Sequence, residues 1–250
     1  MAVGDSARQY VFDTGANLST MMRSEANALG LRILRAGIDV GTSSALRVTA
    51  DLAVAPSLTI GSMTFRNVVF LVLDDAMLTF GDHTIPGIVG FPVVNQMREV
   101  QLIGGQEVFV PAEAPRRPQA NLSLSGLTPL IRVIWRNHPL LCRLDTGANT
   151  TDFYEPFFRR FQAFIDSTGT SLSRRVGSAG GISEVQVRKL TDVRLMLGDT
   201  VALADSVDVL VRPITRTAAD NYLDCNIGTD ILGTFDRLIL NFSDMAFVLR

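Results

Sequence analysis

One short block of sequence occurs twice in this chain, and it constrains the fold more than any other feature. The first copy spans Phe12 to Asn17 and the second spans Leu144 to Asn149, and both consist of an apolar residue followed by Asp-Thr-Gly-Ala-Asn. Each copy ends an apolar run with a carboxylate, a hydroxyl and a glycine, which is typical of a strand that enters a tight turn. The repeat therefore predicts two similar lobes, each with an aspartate at the tip of a turn.

Further motifs keep nearly the same spacing as the block. Asp13 and Asp145 lie 132 positions apart, and the glycines Gly90 and Gly228, which end two further matching segments, lie 138 positions apart. A chain whose motifs recur in the same order at a nearly fixed offset is explained by internal duplication.

The length of the chain suits two lobes. It has 250 residues, of which 47% are hydrophobic, so it can bury two cores of moderate size. We expect an N-terminal lobe over residues 1–103, a linker rich in proline and arginine over residues 104–119, and a C-terminal lobe over residues 120–250. Frequent β-branched runs bounded by turn residues predict a mostly β fold with short helices.

Charge and hydropathy exclude several classes of partner. A net charge of −2 gives no electrostatic footprint for nucleic acid or an anionic membrane. The longest apolar run, Val68 to Leu73, is far shorter than the roughly 20 residues of a membrane span, and residues 1–12 contain no signal-peptide core. The compartment stays open, with a periplasmic or secreted location favoured over a cytoplasmic one. Two cysteines and two isolated histidines predict no metal site, and we expect no cofactor.

The repeated block resembles the active-site motif of the aspartic peptidases. Alanine after Asp-Thr-Gly is more similar to the retroviral proteases (retropepsins) and their bacterial relatives than to pepsin. Retropepsins are homodimers with one aspartate per subunit, whereas this chain carries both. The resemblance implies a single-chain, bilobal acid-protease fold of two pseudo-symmetric, retropepsin-like β-barrel lobes, and a monomer that cleaves peptides or proteins. A homodimer that completes the first lobe by strand exchange is the open alternative.

The chemistry that this resemblance implies needs two carboxylates close together. Peptide hydrolysis by an activated water requires a base for the water and an acid for the carbonyl oxygen. Two close carboxylates share one proton, because both cannot ionise at once, and so supply both groups. Asp13 and Asp145 are the predicted catalytic pair, and their roles are not separable in a coupled dyad.

The resemblance assigns roles to the neighbours of the pair. Thr14 and Thr146 are expected to lock the two turns together by hydrogen bonds, and Gly15 and Gly147 are expected to permit the turns and offer N–H groups to the carboxylates. Substrate-binding positions are expected after each turn, in two flap hairpins near residues 36–44 and 176–182, and in the segments that pass under the turns. They are Ala16, Asn17, Ala148, Asn149, Ile38, Val40, Gly41, Ala179, Gly180, Ile88 and Ile227. Asn17 and Asn149 depart from the family, which carries aspartate there.

Two expectations concern local structure. Ser24 to Leu29 predicts a helix with Ser24 as its N-cap, and Glu155 to Ile165 predicts one amphipathic helix. Only twelve residues precede the first motif, which indicates that the first lobe lacks a strand of the hairpin that precedes the second motif.

The two cysteines are assigned through the resemblance. Cys142 lies three residues before Asp145 and Cys225 three residues before Gly228, and the family places these segments on neighbouring strands. A disulfide is therefore conceivable, but buried free thiols are the expected state.

A second function stays open beside the peptidase. The same fold and cleft can serve a peptide-binding or regulatory module that is catalytically weak or inactive. The presence of both aspartates favours the enzyme, whereas the short first lobe favours the module.

Overall fold

The computed structural model describes residues 1–42, 47–105, 107–178, 181–213 and 222–250, and for residues 178 and 181 it describes the backbone alone. Most of the described residues lie in strands, and the few helices are short. The predicted mostly β fold with two lobes is confirmed, because two large curled sheets each form one lobe, as in a bilobal aspartic protease.

The N-terminal lobe is one eight-stranded sheet with a small hairpin beside it. The strands run in the order β2-β1-β6-β7-β4-β10-β3, with β5 paired to β6, and β8 pairs with β9. The elements are β1 (Ala2–Val3), β2 (Ser6–Ala7), β3 (Val11–Phe12), β4 (Ser19–Met22), α1 (Arg23–Ala28), β5 (Ile33–Gly41), β6 (Arg47–Ile60), β7 (Met63–Leu73), a 3-10 turn (Asp75–Leu78), β8 (Thr79–Phe80), β9 (His83–Thr84), β10 (Gly87–Val89) and α2 (Phe91–Val94).

Two strands follow the N-terminal lobe, and the C-terminal lobe is a second eight-stranded sheet. Its strands run in the order β13-β14-β15-β20-β16-β19-β18-β17, and β14 also pairs with β18. The elements are β11 (Glu99–Ile103), β12 (Glu107–Phe109), β13 (Leu122–Ser125), β14 (Thr128–Trp135), β15 (His138–Leu144), β16 (Asp152–Phe153), α3 (Glu155–Arg160), α4 (Gln162–Thr168), β17 (Thr170–Ser178), β18 (Gly181–Leu197), β19 (Thr200–Leu210), β20 (Cys225–Ile227), α5 (Thr229–Leu232), β21 (Arg237–Asn241) and β22 (Ala246–Leu249).

The two lobes share one set of strand pairings. The parallel pair β3–β10 corresponds to β15–β20, and the antiparallel pair β4–β10 corresponds to β16–β20. The parallel pair β4–β7 likewise corresponds to β16–β19, and the antiparallel pair β6–β7 to β18–β19. The same order and the same strand directions in both lobes are what a duplicated unit produces.

A four-stranded sheet joins the lobes. Its order is β12-β11-β21-β22, so one inner strand follows each lobe. The inner strands pair antiparallel around Gln101 and Ile239, which are also 138 positions apart. The pseudo-two-fold axis therefore passes through this pair, and one continuous core of buried residues runs from lobe to lobe above it.

The first lobe has a hairpin before its motif, which corrects the expectation of a missing strand. Strands β1 and β2 are only two residues long each, but they pair with one another. Strand β1 also pairs with β6, and the second lobe has the matching pair β14–β18. The polar turn between them hid this hairpin, because two-residue strands carry no alternation that a sequence pattern can detect.

Both helix expectations need correction. Helix α1 begins at Arg23 with Met22 at the N-cap, and the backbone N–H of Ser24 is instead bound by Asp75 Oδ1 at 3.0 Å. The predicted single helix is broken into α3 and α4 at Phe161, whose φ is −121°. The Phe161 ring packs against both Trp135 and His138, with centroids 4.9 and 5.1 Å away, and helical periodicity carries no information about such tertiary contacts.

The expectation of free thiols is wrong, because Cys142 and Cys225 form a disulfide. They stand directly opposite one another on the parallel strands β15 and β20, and both are fully buried. The bond therefore ties the strand that delivers Asp145 to the strand that passes beneath it.

Candidate active site

The two Asp-Thr-Gly turns meet between the lobes. The backbone N–H of Asp13 donates to the Val89 oxygen, and that of Asp145 donates to the Ile227 oxygen, each over 3.0 Å. Strands β10 and β20 thus hold the two aspartates in the same way. In each lobe the short parallel pairing ends at the aspartate. The aspartate side chain therefore lies outside the sheet and points toward the other lobe.

Each aspartate accepts two backbone hydrogen bonds from its own turn. Asp13 Oδ1 accepts from the N–H groups of Gly15 and Ala16 at 2.7 and 3.0 Å. Asp145 Oδ1 accepts from those of the matching Gly147 and Ala148, both at 3.1 Å. Backbone N–H groups aimed at one oxygen orient a carboxylate and stabilise its charged form, and they leave Oδ2 of each aspartate outside the hydrogen bonds of its own turn.

The two threonines cross between the lobes. Thr14 Oγ1 donates to the Leu144 oxygen, and Thr146 Oγ1 donates to the Phe12 oxygen, both over 2.8 Å. Each hydroxyl also accepts from the backbone N–H of the other threonine at 3.1 Å. Four reciprocal bonds around one axis fix the distance and angle between the turns, and Thr14 is fully buried within them.

The turn glycines leave the space that the opposite carboxylate fills. A Cβ added to Gly15 would overlap the carboxylate of Asp145, and one added to Gly147 would overlap that of Asp13. The glycines Gly90 and Gly228 are equally restricted, since a Cβ would lie 2.6 Å from a backbone carbon in both cases. Close approach of the two turns therefore depends on residues without side chains.

Burial and mutual repulsion favour a shared proton on the pair. Burial raises the pKa of Asp13 to about 7, and the negative charge of Asp145 adds to that rise, while the hydrogen bond from Gly15 opposes it. A side-chain hydrogen bond between the two aspartates contributes in the same upward direction. Near neutral pH, the pair can therefore hold one proton and one negative charge, which is the state that acid–base catalysis requires.

Arg143 is a site residue that the sequence analysis missed. Its Nη2 lies 3.2 Å from Asp145 Oδ2, and its Nε donates to Asn226 Oδ1 over 2.8 Å. Tyr154 accepts a further bond from Nη2 at 3.1 Å. Comparison of the two repeats could have identified it, because the position two residues before Asp13 is the apolar Val11, whereas the position two residues before Asp145 is Arg143.

The predicted substrate positions are only partly brought together. Asn17 and Asn149 are exposed beside the turns, while the carbonyl oxygens of Ala16 and Ala148 accept the N–H groups of Phe91 and Thr229 at 2.8 Å and so tie each turn to a short helix.

The segments beneath the turns are less alike than expected. Ile88 is half-buried beside the first turn, but the side chain of Ile227 is fully buried in the core. Register shows the reason, since Ile88 pairs with Val11 whereas Asn226 pairs with Arg143. Asn226, and not Ile227, therefore occupies the position that matches Ile88.

The hairpin predicted to be the first flap is formed by β5 and β6. Ile38 pairs with Ala50 and is exposed, and Val40 pairs with Val48 and is half-buried. Gly41 lies at the end of β5. In the second flap hairpin, β17 and β18 carry the pairing up to residues 178 and 181, and the predicted positions Ala179 and Gly180 lie outside the described residues.

The described part of the chain has neither a metal-binding cluster nor a membrane-spanning helix. Within the described ranges, three or more histidine, cysteine, aspartate or glutamate side chains nowhere group in a way that would hold a metal ion. The described helices are all too short or too polar to cross a membrane.

Comparison with known proteins supports one family. No curated protein matches the chain. A family model described as Aspartyl protease matches residues 1–93, a range that contains the first turn, the first flap hairpin and the segment that ends at Gly90. The fold, the paired turns and this match together support an aspartic protease family for the chain.

Proposed function

We propose that the protein is an aspartic endopeptidase that hydrolyses peptide bonds with a water molecule held between Asp13 and Asp145. The observation that carries the proposal is the pairing of the two turns, in which each turn glycine leaves room for the carboxylate of the other lobe. Two unrelated Asp-Thr-Gly turns are not expected to form reciprocal threonine hydrogen bonds from one lobe to the other, as these two turns do.

The proposed mechanism divides two tasks between the two carboxylates. The ionised carboxylate takes a proton from the water as the water attacks the peptide carbonyl, and the protonated one donates its proton to the carbonyl oxygen. In this proposal the shared proton lies on Asp13 before the reaction, which the raised pKa of Asp13, caused by burial and by the negative charge of Asp145, supports. Asp145 then acts as the base for the water.

The proposal includes the arrangement of the chain around this pair. In it, residues 1–103 and 120–250 are the two retropepsin-like lobes of a monomer, residues 104–119 connect them, and peptide or protein is the substrate. Thr14, Gly15, Thr146 and Gly147 support the dyad. Ala16, Asn17, Ala148 and Asn149 bind the substrate main chain, and the flap positions Ile38, Val40, Gly41, Ala179 and Gly180 cover it.

A peptide-binding module with little turnover is the second candidate, and Arg143 is the observation that favours it. Arg143 Nη2 forms an ion pair with Asp145 Oδ2 over 3.2 Å, so one oxygen of the proposed base is already engaged by a side chain of the protein. The two candidates differ in turnover, because a module would bind peptides without cleaving them.

Digestion of a peptide library, read by mass spectrometry at several pH values, tests the proposal. An endopeptidase should generate internal cleavages that depend on both aspartates and persist in the presence of a chelator. Peptide binding without cleavage at any pH between 3 and 8 would contradict it and favour the module.

A further inference from the structure

The two lobes present different chemistry beside the dyad. Val11 and Arg143 each lie two residues before an aspartate, so their side chains lie on the same strand face as the carboxylate that follows. In each sheet, the residue paired with this position on the next strand, and its own partner on the strand beyond, form a row of neighbouring residues. The row of the N-terminal lobe is Val11, Ile88, Thr20, Leu71 and Leu52. The matching row of the C-terminal lobe is Arg143, Asn226, Asp152, Asp208 and Lys189.

The row in the N-terminal lobe belongs to an apolar cluster. Leu71 is buried in a group with Met22 and Val48, separate from the main core, and Ile88 and the flap residue Val40 pack against that group. A substrate side chain directed toward this lobe therefore meets aliphatic groups, and it gains free energy by leaving water.

The row in the C-terminal lobe is a network of charged and polar groups. Arg174 pairs with Val185 in the second flap hairpin, as Val40 pairs with Val48 in the first. Its guanidinium contacts Asp208 and Asp152 over 2.9 and 2.8 Å. Asp152 Oδ1, Asp208 Oδ1 and Arg174 Nε are buried without a hydrogen-bond partner within the described residues. This wall has both donors and acceptors, and it is not fully satisfied by its own members.

The charged groups of this wall are paired with one another. Arg143 contacts the dyad at Asp145, Arg174 contacts Asp152 and Asp208, and Lys189 contacts Asp208. An acidic or a basic substrate side chain would therefore leave an uncompensated charge in a partly desolvated place. A neutral side chain that both donates and accepts hydrogen bonds avoids that cost.

We propose that the C-terminal half of the cleft selects a neutral hydrogen-bonding side chain, best an asparagine or glutamine amide, on one side of the scissile bond, while the N-terminal half takes an apolar one. Arg143 is the residue that determines this preference, because its guanidinium stands between the dyad and the rest of the wall. The inference rests on the proposed peptidase function and names its substrate class.

Desolvation explains why the preference follows. An apolar side chain placed against Arg143 and Asn226 would remove water from them and return no hydrogen bond, whereas an amide replaces the water it displaces. Each polar group left unpaired costs enough to lower the rate of cleavage by roughly 5- to 100-fold. The pseudo-two-fold axis relates the two halves of the cleft, so one half faces the substrate residue before the scissile bond and the other half faces the residue after it. The residue preferences on the two sides of the bond therefore measure the two lobes separately.

The test is a cleavage profile of the wild-type protein against a peptide library that is randomised on both sides of the bond, compared with that of Arg143→Val. The variant copies Val11, and Arg132→Val, at an exposed position of strand β14, is the matched control. We expect amide residues on one side of the wild-type cleavages and apolar residues on the other. In Arg143→Val, the ratio of apolar to amide residues on the polar side should rise at least about tenfold. Arg132→Val should keep the wild-type ratio.

The readout is a ratio within one profile, so a general loss of activity in Arg143→Val does not affect it. If that variant is too slow to profile, Asn226→Ile, which copies Ile88, should shift the ratio in the same direction. Apolar residues on both sides in the wild type, or an unchanged amide preference in the variants, would overturn the inference while leaving the peptidase intact. Absence of any cleavage by the wild type would overturn the proposed function and the inference with it.

Discussion

Two chemically identical aspartates become different through their neighbours. Asp13 has burial and a nearby negative charge, which raise its pKa, and Asp145 has the guanidinium of Arg143. The first lobe has Val11 where the second has Arg143, so the two lobes give their aspartates different neighbours. Burial and the negative charge of Asp145 thus favour the protonated form of Asp13.

The pH dependence of activity follows from this asymmetry. Asp13 must be protonated for catalysis, so activity should be present below its pKa of about 7 and lost as the pH rises through it. At low pH the dyad takes up a second proton, and the base is lost. We expect a bell-shaped profile of kcat/KM with an optimum at roughly pH 4 to 6 and an upper limb near pH 7. A rate that stays constant up to pH 9 would contradict this assignment of the acid.

The turn glycines give a second prediction at this scale. In Gly15→Ala the new methyl group must displace the Asp145 carboxylate, which is the end of a side chain and can move, so we expect a stability cost of only about 1 to 3 kcal/mol. Activity should fall at least about 100-fold, because a catalytic group is misplaced.

Thermal unfolding and peptide cleavage measure the two effects of Gly15→Ala separately. Gly41→Ala is the control for stability, since a Cβ there meets no atom of the described residues within 4 Å. Full activity in Gly15→Ala would show that the two turns approach one another less closely than described.

At the scale of elements, the sheet between the lobes is fixed by a buried glutamate. Glu99 on β11 is 1% exposed and binds Arg117 of the connecting segment, with Oε1 and Oε2 at 2.9 and 3.0 Å. Asn241 on β21 donates to the same carboxylate at 2.9 Å. Burial raises the pKa of Glu99, but the hydrogen bonds from Arg117, Asn241 and Gln101 outweigh it and hold that pKa below its ordinary value. The connection between the lobes is thus held to their shared sheet.

Loss of Arg117 should therefore destabilise the protein. In Arg117→Ala the Glu99 charge stays buried with only neutral donors, and we expect the free energy of unfolding to fall by about 3 kcal/mol near pH 7. Arg116→Ala, at an exposed neighbour, should cost under about 0.5 kcal/mol.

Because the pKa of Glu99 is depressed, its favourable contribution is present above pH 4.5 and is lost as the pH falls through the folded-state value. Urea unfolding at pH 7 and pH 3.5 should show the difference between wild type and variant shrinking at the lower pH. Equal stabilities of Arg117→Ala and Arg116→Ala at pH 7 would refute the role of the pair.

The disulfide acts on two other elements, β15 and β20. It closes a loop between residues 83 positions apart, and the chain-entropy model then assigns it about 4 to 5 kcal/mol of stability. The chain has only these two cysteines, so a reductant acts on a single bond. We expect a clearly lower midpoint of thermal unfolding after reduction, and no effect of reductant on a Cys142→Ala/Cys225→Ala protein. Identical midpoints with and without reductant would mean that the thiols are free.

At the scale of the whole molecule, features that recur in the sequence were predictable and features that depend on tertiary contacts were not. The repeated block predicted two lobes of similar topology, because a duplicated motif implies a duplicated unit. Strand register was invisible to the sequence, so Ile227 was assigned to the cleft in place of Asn226. The helix break at Phe161 and the cap supplied by Asp75 depend on partners distant in the chain. Arg143 was missed because the motif alone was compared between the repeats, and not the strand that precedes it.

The account as a whole depends on the dyad, and substitution of each aspartate tests it most directly. Asp13→Asn and Asp145→Asn keep the size and shape of the side chain but remove the shared proton, and Asp199→Asn, at an exposed turn, is the control. Peptide cleavage at pH 5, with circular dichroism to confirm the fold, should show each dyad variant slowed at least about 10²- to 10⁴-fold and the control unchanged. Near wild-type turnover in a folded Asp13→Asn or Asp145→Asn protein would contradict the central claim.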